Sequence, residues 1–231
     1  MSTVLITGAN RGLGLEFSRQ YADSGWKVLA CCRNPESAQE LNALAAQYAN
    51  IRVLALDVSD FQQIDTLASR LADQPIDILL SNAGIYGDSA DTGFGALDYR
   101  QWSRTLLINA QAPVKLAEAF LPHLLRGKQR LIVPVTSLMG SMGDNRGGGS
   151  LMYRSSKAAL NAAMKTLSID LKPQGVGVLI LHPGWVKTDM GGDQAPTSAA
   201  ESIGGMIRVI RDFRLEDSGR FFNFKGEELP W

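Results

Sequence analysis

Six short apolar runs, rich in β-branched residues, recur along the chain and are separated by longer stretches with helical spacing. The runs cover 3–7, 27–32, 51–56, 76–81, 130–135 and 176–182. Parallel strands buried on both faces have this continuous apolar character, and the stretches between the runs are long enough for crossover helices. The alternation therefore predicts an α/β fold, in which a doubly wound parallel sheet carries helices on both faces.

The same alternation predicts how the strands are arranged. We expect a seventh strand over 220–224 and the order 3-2-1-4-5-6-7, because crossovers between parallel strands are right-handed. No linker or composition shift divides the chain, so one domain is predicted over 1–231. The Gly-rich stretch 143–150 is predicted to be a loop at one end of the sheet.

Composition narrows the classes of partner. The 23 basic and 23 acidic residues balance, which argues against nucleic acid and against an anionic membrane surface. No apolar run approaches the roughly 20 residues that span a bilayer. The only cysteines, Cys31 and Cys32, are adjacent and poorly placed for a disulfide, so a cytoplasmic location is predicted. The two histidines, His123 and His182, are isolated and make no metal site.

The first run leads directly into the sequence TGANRGLG at 7–14. Gly8 would allow a tight turn, Gly12 would let backbone N–H groups approach a pyrophosphate, and Gly14 would let the helix pack closely on the strand. The alternative is a plain strand-to-helix turn. Its place in the first strand–helix unit favours a dinucleotide site.

The stretch after the second run indicates which dinucleotide is bound. NAD-selective proteins usually place an acidic residue there, against the ribose 2′-hydroxyl. Here the stretch reads LACCRNP, and Arg33 can pair with a 2′-phosphate through two hydrogen bonds. Arg11, in the glycine turn, could add a second cation. NADP(H) is therefore the preferred cofactor, with NAD(H) possible, and the alternative is that Arg33 is a solvated loop residue.

Tyr153 and Lys157 lie four residues apart, so on a helix they share one face. A nearby ammonium, together with a cationic nicotinamide, would stabilise a phenolate and pull the tyrosine pKa down from about 10 towards the working range. Ser137, at the end of a strand, could hydrogen-bond a substrate oxygen as charge develops on it. Each residue has a structural alternative: chance helical spacing for the Tyr–Lys pair and a turn cap for Ser137.

In this order the motifs resemble the short-chain dehydrogenase/reductase family. The family's TGxxxGxG pattern stands as Thr7, Gly8, Gly12 and Gly14, and its NAG motif as Asn82-Ala83-Gly84. The remaining landmarks are Asp57, Asn109, Ser137, the YxxxK pair Tyr153 and Lys157, and the PGxxxT-like segment 183–189. The resemblance implies a Rossmann-type fold and transfer of a hydride between a nicotinamide and a small carbonyl or alcohol substrate.

The resemblance also implies the roles of the site residues. Tyr153 would exchange the proton, Ser137 would bind the substrate oxygen, Lys157 would hold the nicotinamide ribose and Asn109 would keep a water in a proton relay. A buried amide and a strand-end turn are the alternatives for Asn109 and Asp57. The expected cofactor-binding residues are Gly8, Asn10, Arg11, Gly12, Leu13, Gly14, Arg33, Asp57, Val58, Asn82, Ala83, Gly84, Tyr153, Lys157, Pro183, Gly184, Val186 and Thr188.

Ser137 is chosen although Ser141 has the family's more usual spacing of twelve residues before the tyrosine. Within the family the chain most resembles sniffer-like carbonyl reductases and bacterial C-factor proteins, which implies a carbonyl reductase. A dinucleotide-binding sensor with little turnover is the alternative function. Family resemblance further implies a homodimer or homotetramer that pairs through the Tyr153 helix and the helix near 197–213. Substrate choice is expected to depend on the loops 85–97, 138–152 and 185–200.

Overall fold

The computed structural model describes residues 1–89 and 91–231, and its main sheet contains six parallel strands. These are β1 (Thr3–Thr7), β2 (Lys27–Cys32), β3 (Ile51–Ala55), β4 (Ile78–Ser81), β5 (Leu131–Pro134) and β6 (Gly177–Val178). The helices are α1 (Gly12–Asp23), α2 (Gln39–Gln47), α3 (Phe61–Arg70), α4 (Tyr99–Leu106), α5 (Ala112–Arg126), α6 (Leu151–Leu171) and α7 (Ala199–Asp212).

The strand order of the main sheet is β3-β2-β1-β4-β5-β6, and every pairing is parallel. β1 pairs with β2 on one side and with β4 on the other, so the direction of winding reverses between β1 and β4. Such a reversal opens a crevice at the carboxyl ends of the strands. The predicted doubly wound α/β fold and the order of its first six strands are confirmed.

The predicted count of seven strands in one sheet is wrong. The run 176–182 divides at Leu179 into β6 and a second short strand, β7 (Ile180–His182), which pairs in parallel with β8 (Phe221–Asn223) in a separate two-stranded sheet. The run still follows β5, because the Leu179 N–H donates to the Ile132 carbonyl at 2.9 Å.

The reason for the break lies on the outer edge of β6. There the backbone of Val178 is bonded by a turn rather than by a strand: its N–H donates to the Ser218 hydroxyl at 3.0 Å, and its carbonyl accepts from Gly219 N–H at 2.8 Å. On that edge, pairing with another strand therefore begins only at Ile180, which pairs with Phe221 of β8.

Two apolar layers cover the faces of the sheet. Along β1, Leu5 faces the layer formed by α3, α5 and α6, while Val4 and Ile6 face the layer formed by α1, α2 and α7. Phe120 is fully buried in the first layer and Phe17 in the second. This alternation follows from the two-residue period of a strand with both faces covered.

Length and apolar character decide whether any of the helices could cross a bilayer. Across residues 1–89 and 91–231, none combines enough length with enough apolar character to cross a membrane.

The β7–β8 pair should contribute strongly to stability through Phe221, which is fully buried and stacks on Trp231 with ring centroids 5.6 Å apart. Phe221→Ala should lower the free energy of unfolding by about 3–5 kcal/mol, the usual cost of emptying a buried aromatic site. The neighbouring Phe222 is half-buried and serves as the matched control, with a clearly smaller loss expected. Urea denaturation measures both, and equal losses would contradict this account of the pair.

Candidate active site

The glycine turn after β1 adopts the conformation that its sequence predicts. Gly8 and Gly12 have φ values of +66° and +53°, a region that residues with a Cβ rarely occupy. Gly14 is constrained by packing instead, since a Cβ there would lie 2.1 Å from the carbonyl oxygen of Gly8. Helix α1 can therefore approach the end of β1 only with glycine at this position.

Asn82 joins the glycine turn to the end of β4. Its side-chain amide donates to the Thr7 carbonyl at 2.9 Å and to the Gly8 carbonyl at 3.2 Å. The Thr7 hydroxyl in return accepts from the backbone N–H groups of Asn82 and Ala83, each at 3.1 Å. Gly84 follows in a confined place, where a Cβ would lie 3.2 Å from Asn109 Oδ1. The NAG motif thus fixes both sides of the crevice.

The start of α1 has the features of a pyrophosphate site. Arg11 occupies the N-cap position, but its side chain makes no capping hydrogen bond to the helix. The backbone N–H groups in the first turn of α1, which includes Leu13, thus have no side-chain cap. They lie at the positive end of the helix dipole, and Asn10 precedes them in the glycine turn. Together with the narrow cradle at Gly14, this arrangement fits a bound dinucleotide phosphate.

Two further predicted cofactor residues lie beyond the ends of β2 and β3. Arg33 is exposed in the first position after β2. Asp57 accepts hydrogen bonds from Ser59 N–H at 2.9 Å and from Ser59 Oγ at 2.7 Å. Partial burial opposes ionisation of Asp57, but these bonds outweigh that cost and, with the positive charges of Arg33 and Arg104, lower the pKa of its carboxyl. Val58 beside it is buried in the apolar core.

Arg11 has a partner that the sequence did not predict. Its guanidinium forms an exposed ion pair with Asp189, at the end of the segment 183–189. Nearby, Thr188 lies against the glycine turn, with its Cγ2 3.5 Å from the place of a Cβ on Gly12. Segment 183–189 therefore closes over the turn.

Within that segment the predicted residues differ in exposure. Pro183 and Val186 are buried, and the intervening Gly184 has a φ of +85°. A Cβ on Gly184 would lie 2.8 Å from the Phe224 ring, so glycine is required by both conformation and space.

Tyr153 and Lys157 lie one turn apart on α6, near the carboxyl end of β5. Their exposed fractions are 9% and 5%, and Lys157 Nζ lies 5.7 Å from the centre of the Tyr153 ring. Lys157 Nζ donates to the Val135 carbonyl at 2.9 Å. The Ser137 hydroxyl, also buried, accepts from Met139 N–H at 3.1 Å and interacts with the Tyr153 phenol. The structure thus brings the predicted Ser–Tyr–Lys set together.

Burial controls the electrostatics of this set. Burial raises the pKa of Tyr153 to about 12, with the Ser137 hydroxyl opposing the rise and Tyr86 adding to it. Burial also lowers the pKa of Lys157 to about 8. Both shifts have the same cause, because removal from water disfavours both charged forms. The expectation that an ammonium together with a cationic nicotinamide lowers the pKa of the phenol stays a prediction.

Asn109 lies in a π-helical turn, Leu107–Gln111, between α4 and α5. Its Oδ1 accepts from Ile85 N–H at 2.9 Å, and its Nδ2 donates to the Ile85 carbonyl at 2.8 Å and to Ser156 Oγ at 2.9 Å. The side chain thus links the segment after β4 to α6. Its predicted part in a proton relay stays a prediction, and these bonds occupy the amide group.

Sequence reasoning missed the residues that fix the start of α6. Tyr86 packs on Tyr153 with ring centroids 4.8 Å apart, and the carboxylate of Asp88 accepts backbone N–H bonds from Met152 and Tyr153. The local sequence suggests a different cap, the hydroxyl of Ser150 directly before the helix. The Ser150 side chain makes no capping hydrogen bond.

A protein metal site needs several acidic, histidine or cysteine side chains close together. Within 1–89 and 91–231, no three of them come together as a possible set of ligands.

The chain is similar in sequence to a known family and to characterised proteins. A family model described as short chain dehydrogenase matches residues 2–199. The C-signal protein of Myxococcus xanthus is 46% identical over 164 residues, which are 71% of this chain and 98% of that protein.

Two solved structures resemble this chain over its whole length. NADPH-bound carbonyl reductase from chicken fatty liver is 35% identical with a TM-score of 0.93, and the match covers 100% of this chain and 99% of that one. Carbonyl reductase Sniffer of D. melanogaster is 37% identical with a TM-score of 0.92, and each chain is covered completely. The predicted likeness to sniffer-like and C-factor-like proteins is therefore confirmed, and the chain belongs to the short chain dehydrogenase family.

Proposed function

We propose that the protein is an NADP(H)-dependent oxidoreductase that transfers a hydride between the nicotinamide and a carbonyl or alcohol carbon, in the manner of a carbonyl reductase. The observation that carries this proposal is the burial of Tyr153 beside Lys157 and Ser137, at the carboxyl end of the sheet where the glycine turn also lies. The likeness to NADPH-bound carbonyl reductase from chicken fatty liver supports it.

The cofactor would lie along the crevice between β1 and β4. The uncapped first turn of α1 and the tight glycine turn would hold its pyrophosphate, Asp57 and Val58 would lie near the adenine, and segment 183–189 would cover the nicotinamide end. When bound, the cofactor supplies or accepts the hydride.

In the direction of reduction, Tyr153 would donate its phenolic proton to the carbonyl oxygen as the carbonyl carbon gains the hydride, which yields the alcohol. The raised pKa of about 12 keeps the phenol protonated at neutral pH, as a proton donor requires. Ser137 would donate a hydrogen bond to the same oxygen as negative charge develops on it. Lys157, with a pKa of about 8, remains mostly charged at neutral pH and would stabilise the phenolate left behind.

Tyr153→Phe removes the phenolic proton and keeps the ring. We expect kcat to fall by roughly 10²-fold or more, within the usual contribution of a general acid, while the dissociation constant for NADPH stays nearly unchanged. Tyr99→Phe is the matched control, since Tyr99 is exposed on α4, and it should behave as wild type. Wild-type turnover by Tyr153→Phe on a confirmed carbonyl substrate would show that another group donates the proton.

Selection of NADP(H) is proposed to depend on Arg33. Arg33→Ala should weaken NADPH binding roughly tenfold to a hundredfold, since a charge-assisted hydrogen bond contributes about 1.5–3 kcal/mol, and should affect NADH far less. Arg33→Asp should weaken NADPH further by repelling the 2′-phosphate. Arg70→Ala removes an exposed arginine at the end of α3 as a control. Fluorescence titration with both cofactors decides the matter, and equal weakening of the two would overturn the assignment.

A second candidate function is a dinucleotide-binding signalling protein with little turnover. The 46% identity to the C-signal protein favours it. The intact and buried Tyr153–Lys157 pair favours the enzyme instead, because a sensor of the cofactor has no need of a proton donor.

Several expectations from the sequence stay predictions. They are the single domain over 1–231, the homodimer or homotetramer, the cytoplasmic location, the lack of nucleic-acid and membrane partners, binding of NAD(H) and the roles of the individual site residues.

A further inference from the structure

Helix α6, which carries Tyr153 and Lys157, begins without a cap of its own. Three residues in a row before it, Gly148, Gly149 and Ser150, have positive φ values of 63°, 68° and 46°. A serine caps a helix from an extended backbone, in which its hydroxyl reaches the N–H of the second or third helical residue. The backbone of Ser150 is in the left-handed helical conformation, and its side chain makes no such bond.

Asp88 supplies the missing cap from a distant part of the chain. One carboxylate oxygen accepts from Met152 N–H at 3.1 Å and the other from Tyr153 N–H at 2.8 Å. These are the second and third residues of α6, the two donors that an N-cap side chain normally satisfies. The negative carboxylate also lies at the positive end of the helix dipole.

The same short segment contacts the catalytic tyrosine directly. Two residues before Asp88, the Tyr86 ring lies 4.8 Å from the Tyr153 ring, and its hydroxyl is 2.6 Å from Ser150 Oγ. Gly87 between them has a φ of +83°, and a Cβ there would lie 2.3 Å from Thr105 Oγ1. Glycine therefore lets the segment turn so that both neighbours reach the start of α6.

We propose that Asp88 is a positioning residue for the reaction: by capping α6 in place of Ser150, it fixes the first turn so that the Tyr153 phenol meets Ser137 and the substrate oxygen. This inference rests on the proposed function. Asp88 acts through the backbone N–H of Tyr153 and touches no reacting atom.

The size of the expected effect follows from the place of Tyr153 in that turn. Its own N–H is one of the two bonds that Asp88 makes, so loss of the cap frees the backbone that carries the phenol. A displacement of about 1 Å at a reacting group can lower the rate by about 10²-fold. Lys157, which would hold the nicotinamide ribose, lies one turn further along α6 than Tyr153, and the glycine turn lies outside this helix, so cofactor binding should be largely spared.

The test compares Asp88→Ala, which loses both bonds, with Asp88→Asn, whose amide oxygen can keep one of them. We expect Asp88→Ala to lower kcat for a carbonyl substrate by roughly 10- to 100-fold, with the KM for NADPH nearly unchanged. Asp88→Asn should recover part of the lost kcat. Amide hydrogen exchange at Met152 and Tyr153 should rise in the same order.

Asp98→Ala is the matched control. Asp98 caps α4 with the same kind of bonds, to Arg100 N–H at 2.9 Å and Gln101 N–H at 3.1 Å. Both alanine variants should lose thermal stability, whereas only Asp88→Ala should lose kcat when assayed well below its melting temperature.

Wild-type kcat in Asp88→Ala, or equal losses in Asp88→Ala and Asp98→Ala, would overturn the positioning role. The outcome is separable from that of the proposed function. If Tyr153→Phe abolishes turnover while Asp88→Ala does not, the reductase assignment stands and this inference alone fails.

Discussion

The hydrogen bonds between Thr7 and Asn82 are the interaction on which the site depends. They join the ends of β1 and β4, the two neighbours between which the sheet changes its direction of winding. The backbone of the glycine turn is then tightly constrained, since Gly14 packs against the Gly8 carbonyl and leaves no room for a side chain. The uncapped start of α1 and the buried Tyr153 both lie at the carboxyl end of the sheet, where the proposed hydride donor and proton donor would have to meet.

Burial has an electrostatic cost for Tyr153 and Lys157, the proposed catalytic pair. Removing Tyr153 and Lys157 from water disfavours the phenolate and the ammonium alike. The pair by itself therefore holds a protonated phenol beside a lysine whose pKa is lowered. That state would suit the proposed reduction, in which the phenol would give up its proton. Oxidation of an alcohol would need the phenolate, which requires additional positive charge in the crevice, and an oxidised nicotinamide carries such a charge.

Much of the fold could be predicted from local patterns. The apolar runs located the strands, and the glycines of the first turn located α1, because both signals lie within a few residues of the structure that they specify. The division of the run 176–182 could not be predicted, since it depends on Ser218 and Gly219 bonding to Val178 from far along the chain. The Asp88 cap and the Arg11–Asp189 ion pair are long-range in the same way. The direction of the Tyr153 pKa shift depends on burial, which spacing alone does not reveal.

The most direct test of the central claim follows a labelled hydride. The protein would be titrated with NADPH that carries deuterium in place of both hydrogens on the hydride-donating carbon of the nicotinamide, and then incubated with a panel of aldehydes and ketones. The account predicts saturable binding of NADPH, its oxidation by at least one compound, and an alcohol product with one deuterium on the former carbonyl carbon. Saturable binding with no oxidation across the panel would contradict the account and favour a cofactor-sensing protein.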